Sequence, residues 1–145
     1  MNTPEKTVVA EFIRRVDGAL KGKGDKPLDL VHDQVFAQII GSTPISGCFP
    51  TKETLMGVVG QSVLERIKLD TWSVRLLSVL GTGARVAASL AIEGETLTGQ
   101  RYNARGWYTG GIFEIKDGKI AEMWLFPDTL EIETVLFGRH LVANA

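Results

Sequence analysis

The sequence predicts an α+β fold, with helices packed on one face of a curved antiparallel sheet. Three observations predict it. Helical periodicity dominates the chain up to Lys68, interrupted by one short apolar strand. From Trp72 onward the pattern changes to consecutive strands joined by hairpin-like turns. One amphipathic segment then closes the chain after Asp128. Helices segregated from a run of strands place the helices on one face of the sheet. No repeat, low-complexity segment or linker divides the sequence, so residues 1–145 read as one domain.

The elements follow in order. Thr3 is a good N-cap, Pro4 suits the first helical position, and Glu5 complements the positive helix end. Val9, Phe12, Ile13, Val16 and Leu20 recur at helical spacing until Gly22 and Gly24 stop the helix. Pro27 opens a short second helix that ends near Asp33, and Val35 to Ile40 is a short strand. GSTPISG is a turn-rich loop. Thr51 caps a third helix with Leu55, Met56, Val59, Val63 and Leu64 as its apolar stripe, ending near Lys68. Trp72 to Leu80 and Arg85 to Ile92 form a strand pair, with Val86, Ala88, Leu90 and Ile92 on one face. Gly94 to Gly99 is a turn or an extended arm, and Tyr102 to Ile115 is a long strand with Gly106 as its place to bend.

Asp117-Gly118 joins that strand to Ile120–Phe126 as a type I′ hairpin, because such a turn needs positive φ at both central residues. Regular pairing from that tip sets Ile115 opposite Ile120, Phe113 opposite Glu122, Gly111 opposite Trp124, Thr109 opposite Phe126 and Trp107 opposite Asp128. These ten residues then share one face, taken as the core side, with Gly111 leaving room for the Trp124 indole. A β-bulge would shift the register by one and reverse part of that assignment. Asp128-x-x-Glu131 is a capping-box-like start to the last helix.

The totals exclude several classes. The chain has 145 residues, 44% hydrophobic and 23% charged, and a formal net charge of −1. No basic surplus neutralises phosphates, so nucleic acid is not expected as a partner. No apolar run reaches the length of a membrane span, and no membrane partner is expected. The opening MNTPEKTVVAEF lacks the layout of a secretory signal, and the lone Cys48 forms no internal disulfide; a cytoplasmic location is the expectation. Two histidines and one cysteine show no metal-ligand spacing, and no phosphate-cradling glycine motif is present. Neither metal nor cofactor is expected.

Two stretches carry a resemblance that runs from Val8 to Phe137. HDQVFAQIIGSTPISG, residues 32–47, and GGIFEIKDGKIAEMWLFPDT, residues 110–129, resemble the first strand with its Gly-x-x-Pro-x-x-Gly loop, and the Asp-Gly hairpin with its following Phe-x-Asp, of the nuclear transport factor two-like superfamily. The resemblance implies a cone-shaped sheet around a pocket and a homodimer built on the outer sheet face. Ketosteroid isomerases of that group carry a base aspartate where this chain has Gln38, and an oxyanion aspartate where it has Gly110-Gly111. A neutral amide cannot cycle a proton as a carboxylate does. The Arg-x-Asp of limonene epoxide hydrolases matches Arg85-Val86-Ala87, which lacks the aspartate. The acid/base aspartate of SnoaL-like cyclases matches Asp128. The resemblance therefore leans toward the SnoaL-like branch.

Asp128 is the catalytic candidate: ring neighbours would desolvate its carboxylate and raise its pKa into a useful range. The competing account is that it only caps the last helix. Trp107, Trp124, Phe126 and Phe36 are candidate hydrophobic walls of a ligand site, against plain core. Tyr102 and Arg105 are candidates to steady oxyanion charge, against a wet edge tyrosine and a surface arginine. Glu122 is a candidate second pocket carboxylate, against a residue reaching solvent behind a bulge. Gln38 is counted with the ligand contacts. His32 reads as an exposed turn residue and Cys48 as a small buried one.

Three functions stay open. One is a SnoaL-like, cofactor-independent enzyme acting by acid/base chemistry on a small, hydrophobic, oxygenated molecule. Another is a non-catalytic domain of the same fold that binds a small ligand or dimerises. The third is an oligomerisation module for a larger partner, which predicts a filled barrel with no cavity beside Asp128.

Overall fold

The computed structural model describes residues 3–140. Its first element is α1, Pro4–Leu20, with the Thr3 hydroxyl accepting from the Lys6 N–H. A 3-10 turn, Pro27–Leu30, leads into β1, Val31–Ile39. The strand starts four residues earlier than the sequence suggests, and His32 lies inside it, donating from Nε2 to the Lys116 carbonyl at 2.6 Å. From the last residue of the expected loop runs a strand that the sequence does not suggest, β2, Gly47–Phe49, which pairs antiparallel with β1. A helix then runs through 52–64: α2, Lys52–Leu55, a π-helical middle, Met56–Gly60, and α3, Gln61–Leu64. Thr51 caps it in a reciprocal pair with Thr54. Leu55 and Val59 pack inward, while Met56 and Leu64 of the expected stripe are exposed.

The strands that follow are β3, Ser73–Leu80; β4, Arg85–Glu95; β5, Arg101–Tyr102; β6, Tyr108–Lys116; and β7, Lys119–Phe126. The strand expected over Tyr102 to Ile115 is thus broken between β5 and β6. The break is built on Asn103, whose φ of 58° is left-handed. Its side chain compensates: Nδ2 donates to the Ile92 and Trp107 carbonyls at 2.9 and 2.8 Å, and Oδ1 accepts the Trp107 N–H at 3.0 Å. Last comes α4, Thr129–Glu131, continued by a π-helical turn, Ile132–Leu136.

Sheet order is β2-β1-β7-β6-β4-β3, with β5 beside β4. Only β1 and β7 run parallel; every other pair is antiparallel. The sheet is curved, unclosed and seven-stranded, and the N-terminal helix lies in its concavity. Val9 and Ile13 of α1 are buried there among Val35, Ala37, Val86, Leu90, Phe113, Ile120 and Met123. Phe12 meets the Phe113 ring edge-on, with centroids 6.5 Å apart. Asp17 ties the helix to β3 by accepting the Val74 N–H at 2.9 Å.

The hairpin tip is as the sequence predicts, with φ of 53° at Asp117 and 74° at Gly118. Ile115 pairs with Ile120 as expected. Beyond that pair Ala121 is an extra residue in β7: Glu114 faces Glu122, Phe113 faces Met123, Ile112 faces Trp124 and Gly111 faces Leu125. One inserted residue reverses every later side chain of the strand. Met123 and Leu125 therefore enter the core, and Glu122, Trp124 and Phe126 move to the outer face. Gly111 makes room for Phe113 and Leu125, not for the indole; a Cβ on it would stand 2.9 Å from the Phe113 ring. Among the described residues no helix is long and apolar enough to cross a membrane.

Candidate functional site

The expected site residues divide between two places. One is the mouth of the cone. Tyr102 is buried there, its ring 5.2 Å from that of Trp72, in a cluster with Ile45, Ile67, Ile132 and Leu136. Trp72 donates from Nε1 to the Glu95 carbonyl at 2.7 Å. Burial, and then the charges of Glu131 and Asp128, push the Tyr102 phenol well above its ordinary value. It is therefore a protonated donor in any physiological range. Its ring is buried, while β5 pairs with β4 alone and the hydroxyl makes no hydrogen bond among the described residues.

Asp128 is exposed, and its Oδ1 accepts the Glu131 N–H at 3.2 Å as N-cap of the last helix. Its two expected ring neighbours are themselves exposed, Phe126 at 41% and Trp107 at 59%. Glu131 does not complete the capping box; it accepts the Asn103 N–H at 2.7 Å instead. That bond ties the last helix to the break between β5 and β6. Arg105 stands exposed in the same break. The mouth thus brings Tyr102 together with two carboxylates, one of which sequence reasoning missed. Glu131 was legible only as a helix residue, since its partner lies 28 positions away.

The second place is the outer sheet face. In register across six strands, Leu80 pairs with Ala87, Ala87 with Ile112, Ile112 with Trp124, Trp124 with Gln38, and Gln38 with Cys48. This row is apolar except for its Gln38 and Cys48 end. Cys48 is exposed, not buried as its composition suggests, because β2 is an edge strand. On one side of the row stand Ser78, Ser89, Gly110 and Phe126; on the other stand Arg85, Glu114, Glu122 and Phe36. Phe36 and Phe126 are both exposed, so neither is a wall of the cone. Arg85 lies 5.1 Å over the Trp124 ring and 3.8 Å from each of Glu114 and Glu122. Burial, together with the adjoining Glu114 carboxylate, raises the Glu122 carboxyl above its ordinary value, with Arg85 opposing.

The concave interior holds the two hydrophobic clusters. Two open clefts lie outside it. One, of about 400 Å³, is lined by Leu28, Asp33, Gln34, Thr51, Lys52 and Met56. The other, of about 420 Å³, lies between residues 41–43 and Thr129, Leu130 and Glu133. Neither is lined by Tyr102, Trp107 or Asp128. The second starts one residue after Asp128, outside the cone. Among the described residues no three His, Cys, Asp or Glu side chains gather as metal ligands.

A cone of seven strands on an N-terminal helix, with a closing helix across its mouth, defines the nuclear transport factor two-like fold. Solved structures agree. An NTF2-like protein of unknown function from Burkholderia pseudomallei K96243 superposes with a TM-score of 0.75 at 12% identity, over 93% of this chain and 98% of its own. TerC, crystallised with polyporic acid, gives 0.67 at 16% identity over 93% and 99%. A candidate SnoaL-like polyketide cyclase from Jannaschia sp. CCS1 gives 0.66 at 16% identity over 97% and 99%. No family model matches the chain, and no curated protein matches it in sequence. At these identities the likeness is one of fold, and fold does not assign chemistry.

Proposed function

We propose that this chain is a homodimerising domain of NTF2-like fold, paired with a second copy through the outer face of its sheet, and that it does not depend on acid/base catalysis. One observation carries the reading: the registered row Leu80, Ala87, Ile112 and Trp124 on an uncovered face. Leu80 is 65% exposed and Tyr108, further along the same face, 69%. Small residues at Ala87, Ser89, Ala91 and Gly110 keep the middle of the face low, while Trp124, Phe126 and Tyr108 stand out from it. A two-fold interface puts the same patch on both copies, so it must complement itself. This face carries both signs, Arg85 with Glu114 and Glu122, around an apolar centre, as a self-complementary patch requires.

Sedimentation equilibrium tests it. The dimer mass is expected at concentrations up to about 100 µM, where even micromolar interfaces are saturated. Ala87→Arg, at the exposed centre of the row, is expected to give a monomer with unchanged circular dichroism. A wild-type protein that stays monomeric throughout that range overturns the reading.

One observation favours the SnoaL-like enzyme as a second reading: the protonated Tyr102 phenol lies near Asp128 and Glu131 at the mouth. On that reading Asp128 moves a proton on a small, hydrophobic, oxygenated molecule while Tyr102 donates to its oxygen. The solvent-facing Asp128 supports it less well. Asp128→Asn separates the two: an enzyme loses turnover but keeps its fold, whereas a cap with no other role loses neither, because Asn also caps well.

A further inference from the structure

The outer face holds an arrangement that ordinary sheet design avoids. Glu114 and Glu122 stand directly opposite each other on adjacent antiparallel strands, where like charges destabilise the pairing. Their side chains are only 31% and 34% exposed. A single cation serves both: the Arg85 guanidinium on β4, 3.8 Å from each and stacked on Trp124. From β1, the residue in register with Glu122 is Phe36, which brings no charge. The other ionisable groups at this end of the sheet are Lys116, Asp117 and Lys119 at the hairpin tip, and His32 and Asp33 on β1, Asp33 being paired with Lys52 at 3.3 Å. His32 is held on the Lys116 carbonyl, and neither Lys116 nor Lys119 forms an ion pair with Glu114 or Glu122 among the described residues. Two carboxylates thus share one guanidinium between Trp124 and Phe36, inside the face assigned above to a second copy.

We infer that the Glu114–Glu122 pair makes self-association proton-linked: two copies close over it as the pair takes up a proton from solvent, so the dimer tightens toward acid. The inference rests on the homodimer reading. A docked copy removes the water that screens the two carboxylates. One guanidinium then leaves one negative charge per copy uncompensated, which is costly in a dry interface. A shared proton removes that charge and lets one carboxyl donate to the other, as like-charged carboxyls in contact do. The already raised Glu122 carboxyl is consistent with this, and it is the group expected to hold the proton.

The experiment is sedimentation equilibrium of the full chain from about pH 7.5 to about pH 5.5, alongside Glu122→Gln. The wild-type dissociation constant is expected to fall roughly tenfold or more across that interval, since each proton taken up on association changes it by up to about tenfold per pH unit. Glu122→Gln is expected to bind as tightly at the upper pH as the wild type does at the lower, with a flat profile. A wild-type constant independent of pH overturns the inference and leaves the dimer standing. Equal slopes in the wild type and Glu122→Gln overturn it too, and assign the linkage to another group such as His32. If neither protein associates at any pH, the homodimer reading fails and takes this inference with it.

Discussion

The Trp72 indole occupies the space where a Cβ on Gly94 would stand. A β-carbon there must push on a ring that is itself fixed from two sides, by the Glu95 carbonyl and by Tyr102. Gly94→Ala is therefore expected to cost about 1–3 kcal/mol, the usual range for overpacking, read as a lower urea midpoint at unchanged slope. In a Trp72→Leu background the same substitution costs less, and a double-mutant cycle measures that coupling. This contact was not legible in the sequence, because Gly94 lies in β4 and Trp72 just before β3, and the segment from Gly94 reads as a turn or an extended arm. Gly111 shows the opposite error. Its need for space was legible, but its neighbours are Phe113 and Leu125 and not Trp124. A glycine announces that something approaches; only the register says what.

Register is a property of the element, and one residue decided it. Asp117-Gly118 sets the turn chemically, so the tip and the first pair followed from sequence. Ala121 carries no mark of a bulge, since nothing in its side chain demands or forbids one. Its insertion moves Glu122, Trp124 and Phe126 out of the cone, so two of the four expected ligand walls join Phe36 on the outer face. The last helix was legible at its start for a similar reason to the turn: the cap is local chemistry. Asp128→Ala is expected to lower stability by about 1 kcal/mol and Asp128→Asn by a few tenths, measured by urea unfolding. Glu131 is different, because its carboxylate serves the Asn103 N–H on another element. Glu131→Gln keeps an acceptor there but removes its charge. It should cost less than Glu131→Ala, which leaves that N–H without its partner.

At the scale of the whole molecule the helices and the sheet are held together by burial, and α1 is held to β3 by a polar tie whose strength depends on pH. Burial pushes the Asp17 carboxyl up, but the Lys21 ammonium, the Val74 N–H and the charge of Arg75 together hold it below its ordinary value of 3.8. A depressed folded-state value stabilises the fold above 3.8, and that contribution fades as pH falls through the folded value. Glu122 has the opposite sign. Its raised value costs stability once it ionises, and the cost disappears as pH falls below its ordinary 4.5. Acid therefore loosens the contact between α1 and β3 while relaxing the outer face. Urea unfolding across the acid range, at concentrations low enough to keep the chain monomeric, separates the two. Asp17→Asn is expected to be about 1 kcal/mol less stable near neutral pH, from the weakened bond to Val74, and to show a flatter decline below 3.8. Glu122→Gln is expected to be no less stable than the wild type at neutral pH and to lose its advantage in acid. A decline of unchanged steepness in Asp17→Asn would show that the tie between helix and sheet is carried by packing alone.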